Sequence, residues 1–228
     1  MKILITGICG FAGTSIAKTL LQSHSNLQII GLDNFSRKGS ELNISELTNL
    51  GIDLIRGDIR SQSDIDALPK ADWVIDCAAN PSVLAGIDGQ SSSRQLMEHN
   101  LLGTINLLEY CKRHKAGLIL LSTSRVYSAS ELAALPVLSS DNRFELQDCN
   151  ISGANCSGIS ENFPTTAPLS LYGASKLASE TLILEYGECF DFPVWINRCG
   201  VLAGAGQFGK ADQGIFSFWI HSFREKKP

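Results

Sequence analysis

The 228-residue sequence lacks several features that would assign it to common protein classes. No stretch approaches the ~18–20 consecutive apolar residues of a membrane span, so we expect no contact with a membrane. No dense basic patch occurs and the net charge is −4, which disfavours nucleic acid as a partner. No internal repeat or low-complexity tract is present. The composition, with 44% hydrophobic residues, is that of an ordinary soluble protein with one sizeable core.

The cysteines and histidines are scattered through the chain. The seven cysteines form no C-x-x-C pair, and the four histidines show no metal-ligand spacing to cysteines or carboxylates. We therefore expect reduced thiols in a cytoplasmic protein, and no structural metal. Because the N-terminus leads directly into a strand pattern, we also expect no signal peptide.

The stretch KILITGICGFAG, from Lys2 to Gly13, is the part around which the rest of the chain is organised. Its first residues form a short apolar run with β-branched side chains, which is typical of a buried strand, and a helical pattern begins at Phe11. Gly7 and Gly10 lie between the two. A strand, a glycine turn and a helix N-terminus in series bind a pyrophosphate, because free N–H groups point at the anion and no Cβ blocks its approach. The stretch therefore predicts a nucleotide site.

A second apolar run, Leu27–Leu32, ends in Asp33, where such sites place a carboxylate that binds ribose. A carboxylate at this position hydrogen-bonds the ribose hydroxyls and repels a 2′-phosphate, so Asp33 favours NAD over NADP. Arg37 and Lys38 follow closely and could pair with a phosphate, which leaves NADP open. The same two cations are equally compatible with a solvated loop.

Strand and helix patterns alternate along most of the chain. Repeated βα units with continuous apolar strands predict an α/β fold, a doubly wound parallel sheet with helices on both faces. In this architecture ligands bind beyond the carboxyl ends of the strands. The expected strands are Lys2–Thr6, Leu27–Leu32, Ile52–Arg56, Trp73–Cys77, Gly117–Leu121 and Val194–Asn197. The expected helices are Phe11–Leu21, Ser40–Asn49, Ser61–Leu68, Ser93–His114, Leu171–Tyr186 and Gly214–Arg224.

The segment Ser128–Pro168 interrupts the alternation. It is rich in Ser, Asn, Gly and Pro and has no clear periodicity. A connection of this length in a compact domain is usually functional or mobile. We expect a loop region that lies over the active site and touches substrate, with an inert insertion as the alternative.

Together with the preceding threonine, TGICGFAG resembles the cofactor loop of the extended short-chain dehydrogenases/reductases, and the chain is similar to their NAD-dependent epimerase/dehydratase family. The resemblance implies a Rossmann fold with NAD as cofactor. Asp58 would accept a hydrogen bond from the adenine amine, and Ile59 would pack on the ring. The cofactor residues implied are Gly7, Cys9, Gly10, Phe11, Ala12, Gly13, Asp33, Asn34, Ser36, Arg37, Asp58, Ile59, Ala78, Ala79, Asn80, Asn100, Ser122, Tyr172, Lys176 and Cys199.

The strongest catalytic signal is Y-x-x-x-K, formed by Tyr172 and Lys176. Helical spacing of four places both side chains on one face of a helix, where such a pair is often only a surface feature. A lysine ammonium and a positive nicotinamide would both favour tyrosinate and lower the phenol pKa from ~10. The tyrosine could then remove a hydroxyl proton while the carbon-bound hydrogen leaves as hydride.

The run LSTSRVY resembles the hydroxyl motif of the family and places the catalytic hydroxyl on Thr123, with Ser124 as the alternative.

The resemblance also implies a substrate class. A dehydratase of this family would carry Asp-Glu after the threonine, whereas this chain has Ser124-Arg125, so dehydration is disfavoured and epimerisation is expected. The stretches NPSVLAG, SSSRQLMEHNLLGTINLLEYCKRH and NRCGVLAGAGQFGKADQG resemble most the CDP-paratose (CDP-tyvelose) 2-epimerases, which act on a nucleotide sugar. A UDP-hexose 4-epimerase and a truncated, non-enzymatic NAD-binding relative are the alternatives. The substrate residues implied are Ser124, Arg125, Asn197, Gln207 and Gln213.

Domain and subunit organisation are likewise implied by the resemblance. Residues 1–200 would form the NAD-binding domain, and residues 201–228 would begin a substrate domain that we expect to be truncated. Family members often dimerise through the helices that match Ser93–His114 and Leu171–Tyr186. We therefore expect a homodimer or a higher homo-oligomer, although the same apolar faces could pack within one subunit.

Overall fold

Six parallel strands form the central sheet of the computed structural model, which describes residues 1–87, 89, 92–209 and 214–227. The strands are β1 (Lys2–Thr6), β2 (Gln28–Asp33), β3 (Asp53–Arg56), β4 (Trp73–Asp76), β5 (Gly117–Thr123) and β6 (Val194–Cys199). Their order across the sheet is β3-β2-β1-β4-β5-β6. The chain therefore winds outward from β1 in both directions, and the predicted doubly wound Rossmann fold is confirmed. The switch point lies between β1 and β4, where such folds bind ligands.

Helices connect these strands and cover both faces of the sheet. They are α1 (Phe11–Ser23), α2 (Ile44–Asn49), α3 (Gln62–Asp66), α4 (Ser93–Met97), α5 (Gly103–His114), α6 (Ala129–Ala133), α7 (Leu171–Phe190) and α8 (Ile215–Arg224). Alternate residues of β1 enter two separate cores. Leu4 packs in the cluster that includes Leu107 of α5 and Ile183 of α7. Ile5 packs in the other cluster, with Ala17 of α1. A strand buried on both faces explains why this run is continuously apolar.

Strands β5 and β6 each extend two residues beyond their predicted ends. They pair in parallel, with Ser122 opposite Arg198 and Thr123 opposite Cys199. The pairing continues into the polar residues because the ladder is made by the backbone, which apolar patterning does not report. It places Thr123 and Cys199 side by side at the carboxyl edge of the sheet.

The predicted helix Ser93–His114 is interrupted by a π-helical turn, Glu98–Leu102, between α4 and α5. The carbonyl oxygen of Asn100 accepts hydrogen bonds from two hydroxyls, Thr104 Oγ1 at 2.8 Å and Ser179 Oγ at 3.0 Å. These hydroxyls satisfy a carbonyl that lies in the widened turn. Such turns are frequent at functional sites.

The segment Ser128–Pro168 is not the structureless loop that its composition predicts. It contains α6, a hairpin of Val137–Ser140 with Arg143–Leu146, and a smaller hairpin of Ala154–Asn155 with Gly158–Ile159. Phe163 is 2% exposed and anchors the segment. Its ring meets that of Tyr127 edge-on, with 5.6 Å between the centroids. In the part of the chain that the structure describes, no helix has the length and apolar character needed to cross a membrane.

Candidate active site

A cleft of about 540 Å³ lies at the carboxyl ends of the six parallel strands. It contains most of the residues predicted for cofactor, catalysis and substrate. Those that line it are Gly7, Gly10, Phe11, Ala12, Gly13, Asp33, Asn34, Ser36, Arg37, Ile59, Ala78, Ala79, Ser122, Thr123, Ser124, Arg125, Tyr172, Lys176, Cys199 and Gln207.

The glycine turn is shaped by close contacts between backbones. Gly7 has φ +60°, and a Cβ there would lie 2.9 Å from the backbone nitrogen of Ala78. A Cβ at Gly13 would lie 2.5 Å from the carbonyl oxygen of Gly7. Helix α1 follows with Gly10 as its N-cap, without a side-chain cap and without an acidic residue in its first turn. The unpaired N–H groups and the positive end of the helix dipole suit an anion.

Asp33 is held by two backbone amides. Its Oδ2 accepts a hydrogen bond from the Cys9 nitrogen at 2.9 Å, and its Oδ1 accepts one from the Phe35 nitrogen at 2.8 Å. Burial raises the pKa of the Asp33 carboxyl, while the two amide bonds oppose that effect. The Cys9 side chain is fully buried and does not line the cleft, so its link to the predicted site is this amide.

Asp58 does not line the cleft but lies beside it, in a shallower depression with Arg60. The Arg60 guanidinium binds both oxygens of the Asp58 carboxylate, at 3.0 and 2.7 Å. Asn34 Nδ2 also donates to this carboxylate, at 2.9 Å. The Arg60 contact holds the pKa of the Asp58 carboxyl well below its usual range. Asn34 thus links the ends of β2 and β3.

Thr123, Tyr172 and Lys176 meet in the cleft. Tyr172 is 9% exposed and Lys176 is 2% exposed. Burial raises the pKa of Tyr172, and a hydrogen bond with Thr123 and the charge of Arg125 oppose the rise. In the protein alone the pKa of Tyr172 is therefore raised, because desolvation outweighs the hydrogen bond and the charge of Arg125. The predicted lowering also depends on the charge of the nicotinamide, which the protein alone does not supply, and it stays a prediction.

The Lys176 ammonium acts on two thiols that line the same cleft. Its charge lowers the pKa of both Cys77 and Cys199, although burial has the larger effect and leaves both values raised. Lys176 therefore supplies positive charge at the ends of β4 and β6, next to Tyr172. A buried ammonium among thiols and a phenol is suited to stabilise negative charge that develops there.

Asn100 and Asn80 lie behind the cleft and do not line it. Asn100 Oδ1 accepts a hydrogen bond from the Asn80 nitrogen at 2.8 Å, and Asn100 Nδ2 donates to the Asn80 carbonyl oxygen at 3.1 Å. The same Nδ2 donates to Ser175 Oγ at 3.1 Å. The amide of Asn100 thus connects the loop after β4 to the turn of α7 that carries Tyr172 and Lys176.

A partly buried ion pair between Glu180 and Arg198 supports the other side of the site. Glu180, which is 3% exposed, accepts hydrogen bonds from Arg198 at 2.8 and 3.1 Å and from the hydroxyl of Ser122. Arg198 Nη1 also donates to the carbonyl oxygen of Glu161 at 2.9 Å, and its guanidinium lies 5.3 Å from the centroid of the Tyr127 ring. The network joins α7, β5 and β6 to the segment that precedes α7.

Three predictions about the substrate side are not confirmed by the residues that line the cleft. Asn197 is exposed, accepts a hydrogen bond from Trp195 Nε1 at 2.9 Å and does not line the cleft. Gln213 lies outside the described residues. The segment Ser128–Pro168 was expected to lie over the active site, but the described lining includes none of its residues. Its connection to the site is indirect, through the contact of Arg198 with Glu161.

Other residues line the cleft without having been predicted. Cys77 and Leu121 lie at strand ends, so the rule that ligands bind there could have identified them. His99 adjoins Asn100 on the π-helical turn, but nothing in its spacing indicated a site. The remaining unpredicted lining residues, many of which follow β6, are Leu32, Ser40, Gly57, Pro81, Val83, Gly200, Val201, Leu202, Phe208, Gly214 and Ile215.

Comparison with known proteins gives one family match and several relatives. The sequence model described as the NAD dependent epimerase/dehydratase family matches residues 3–228. CDP-paratose 2-epimerase of Salmonella typhi is 30% identical over 232 residues, which cover 99% of this chain and 63% of that protein. dTDP-D-glucose 4,6-dehydratase of Dictyostelium discoideum is 32% identical over 212 residues, which cover 91% of this chain and 45% of that protein.

The fold is also found among solved structures. UDP-glucuronic acid 4-epimerase of Bacillus cereus, in complex with NAD, has a TM-score of 0.73 and 30% sequence identity. The match covers 100% of this chain and 65% of that one. The chain therefore spans less than two thirds of the length of each of these three relatives.

Proposed function

The chain belongs to the NAD-dependent epimerase/dehydratase family, and on this basis we propose that it epimerises a nucleotide sugar by transient oxidation. The family match confirms the predicted resemblance and NAD as the cofactor of the family. One observation carries the proposal. Thr123, Tyr172 and Lys176 line the same cleft as the glycine turn and Asp33, so the residues predicted for catalysis and those predicted for the cofactor line one cleft.

The residues of the cleft fit a dinucleotide. The turn at Gly7 and Gly13 has no room for side chains, and the α1 N-terminus beyond it is uncapped by any side chain, as a pyrophosphate site requires. Asp33 would hold the ribose, because its carboxylate is oriented by two amides and keeps acceptor capacity. Held by the glycine turn and Asp33, NAD would supply the reversible hydride acceptance that a transient oxidation of the sugar requires.

The side chains of this chain would handle the proton. Tyr172 would accept the hydroxyl proton at its phenolic oxygen and give it back after the sugar has turned. Thr123, which is hydrogen-bonded to Tyr172, would position the same substrate oxygen. Lys176 would stabilise the tyrosinate through its charge.

Epimerisation is favoured over dehydration by the residues next to Thr123. Elimination of water needs an acid and a base, and the family's dehydratases would carry Asp-Glu here. Ser124 and Arg125 occupy these positions and line the cleft. A CDP-sugar is favoured as substrate and position 2 as the reacting carbon, because the chain resembles a CDP-paratose 2-epimerase over 99% of its length.

The proposal is tested by adding CDP-, UDP-, GDP- and dTDP-sugars to the protein with NAD and following the absorbance of reduced nicotinamide. We expect a signal with one CDP-sugar, and its loss in Tyr172→Phe, which should still bind NAD. An undiminished signal in this variant would remove Tyr172 from the mechanism. If no sugar in the panel produces the absorbance of reduced nicotinamide although NAD is bound, this length of chain holds a cofactor without a working sugar site, as in a non-enzymatic relative.

A UDP-hexose 4-epimerase is the second candidate. The observation in its favour is the 30% identity to the UDP-glucuronic acid 4-epimerase of Bacillus cereus. Substrates that carry deuterium at C2 or at C4 distinguish the two reactions. Transfer of deuterium from C2 to the cofactor supports the 2-epimerase, and transfer from C4 supports the alternative.

We also propose that the protein forms a homodimer through α5 and α7. Most apolar side chains of α5 are buried within the subunit, but Leu184 of α7 is 55% exposed and Leu102, just before α5, is 41% exposed. Light scattering of wild type and Leu184→Glu tests this. A monomeric wild-type protein would contradict the proposal.

A further inference from the structure

Two side-chain oxygens of the cleft are buried without a hydrogen-bond partner among the described residues. They are Ser40 Oγ and Gln207 Oε1. Ser40 is 1% exposed, and both residues line the cleft. Because unpaired buried polar atoms are costly and rare in native proteins, each needs an explanation, and a ligand that completes the hydrogen bonds is one.

The orientation of the Gln207 amide defines what it can bind. Its Nε2 donates to the carbonyl oxygen of Leu202 at 2.8 Å. A flipped amide would place its oxygen against that carbonyl, and two acceptors repel, so Oε1 is the atom left without a partner among the described residues. The complementary group must therefore be a hydrogen-bond donor, such as a hydroxyl or an amine. A phosphate oxygen, which only accepts, would not suit it.

Contacts of the next residue, Phe208, locate Gln207 within the cleft. The Phe208 carbonyl oxygen accepts a hydrogen bond from Arg37 Nη2 at 3.0 Å. Its ring lies against Gly39, where a Cβ would be 3.0 Å from the ring carbon Cδ1. The segment around Gln207 therefore packs on the loop that connects β2 to Ser40. This loop follows Asp33, so the segment around Gln207 lies on the same side of the cleft as β2, the strand that carries the predicted ribose carboxylate.

We infer that Ser40 and Gln207 bind the adenosine half of the dinucleotide, which extends the proposed NAD site to two residues that the sequence did not assign to it. Gln207 Oε1 would accept a hydrogen bond from a hydroxyl or the amine of adenosine. The Ser40 hydroxyl would bond a second polar atom of the same group. The inference rests on the proposed binding of NAD, and it moves Gln207 from the substrate, where the family resemblance placed it, to the cofactor.

The test compares ligand affinities by titration calorimetry in wild type, Ser40→Ala and Gln207→Met. The ligands are NAD, ADP-ribose, nicotinamide mononucleotide and the CDP-sugar. Loss of one neutral hydrogen bond corresponds to a roughly 3- to 10-fold weaker affinity. We expect this loss for NAD and ADP-ribose in each variant, with unchanged affinity for nicotinamide mononucleotide and the CDP-sugar. Gln147→Met is the matched control, because Gln147 does not line the cleft.

A second readout separates binding from folding. Ser40→Ala removes no hydrogen bond between described residues, so the melting temperature without ligand should stay unchanged or rise. Unchanged NAD and ADP-ribose affinity in both variants would overturn the inference. So would a loss confined to the CDP-sugar, which would return Gln207 to the substrate. A wild-type protein that binds neither NAD nor ADP-ribose would refute the proposed function itself, before any variant is compared.

Discussion

Gly173 and Arg125 are in direct backbone contact, since a Cβ on Gly173 would lie 2.1 Å from the Arg125 carbonyl oxygen. The first turn of α7 therefore touches the turn that follows β5. The Gly173 amide is capped by Ser170 Oγ at 2.9 Å. This contact sets the distance between Tyr172 and Thr123, which come from elements far apart in the sequence.

Gly173→Ala should lower both stability and activity. The added methyl group cannot be accommodated without shifting α7 or the turn, which we expect to cost about 1–3 kcal/mol. Thermal unfolding measures the effect. Gly200→Ala is the control for stability, because no heavy atom of a described residue other than its chain neighbours lies within 4 Å of its Cβ position. Equal melting temperatures for the two variants would contradict the importance of the contact.

Tyr172 should remain protonated above pH ~10 in the protein without cofactor, because burial raises its pKa. Ultraviolet titration of wild type minus Tyr172→Phe isolates this phenol from the other three tyrosines. Addition of NAD should move the transition to lower pH, because the nicotinamide carries positive charge. A difference titration that is complete below pH ~10 without NAD would show that desolvation does not dominate.

The affinity for NAD should fall at acidic pH as Asp33 takes up a proton. Burial raises the pKa of this carboxyl, so the fall should begin at higher pH than the usual ~3.9 of aspartate would give. The stability of the protein without cofactor should change with pH in the opposite direction. Because the pKa of Asp33 is raised in the folded state, its contribution to the free energy of unfolding is present at low pH and is lost as the pH rises through that pKa.

Asp33→Asn is the matching variant. It should bind NAD more weakly, and this part of the pH dependence should disappear, because the amide does not titrate. Calorimetry across the acidic range measures both effects. A wild-type affinity that stays constant on acidification would contradict the role of the carboxylate.

Glu180→Gln should be strongly destabilising. Removal of the Glu180 charge leaves the partly buried Arg198 without its ionic partner; breaking a fully buried pair typically costs about 3–5 kcal/mol, and the partial exposure of Arg198 places the expected cost at or below the lower end of that range. The side chains of this pair are only 4% and 20% exposed, so solvent screens it little. Urea unfolding measures the loss. Arg143→Met breaks an exposed pair with Glu145 and should cost about 1 kcal/mol or less. Similar costs for the two variants would argue against the network as a support of the site.

Some parts of the site could be predicted from the sequence because their signals are local. The strand, glycine turn and helix of KILITGICGFAG follow each other directly, and the structure has the strand at Lys2–Thr6 and the helix from Phe11. Tyr172 and Lys176 face the same side because helical geometry sets the direction of residues four apart. The position of Asp33 at the end of β2 follows from the length of the apolar run.

The other parts of the site could not be predicted, because they depend on which segments of the chain pack together. Asn197 was assigned to the substrate by position, but it is exposed, bonds to Trp195 and does not line the cleft, whereas Cys199, two residues further along β6, does. The segment Ser128–Pro168 was expected over the active site because it is long, whereas it forms hairpins that do not line the cleft. Spacing gives no information about how an irregular segment packs.

By itself, the sequence determined the order of the main strands and helices, the glycine turn after β1 and the shared helix face of Tyr172 and Lys176, because each depends on neighbours along the chain. Only the tertiary structure decided that Thr123 lies beside Cys199, that Gly173 touches Arg125 and that Phe208 meets Arg37. These are contacts between residues far apart in the chain. They arise from the pairing of β5 with β6 and from close packing between segments, which neither hydrophobic periodicity nor motif spacing encodes.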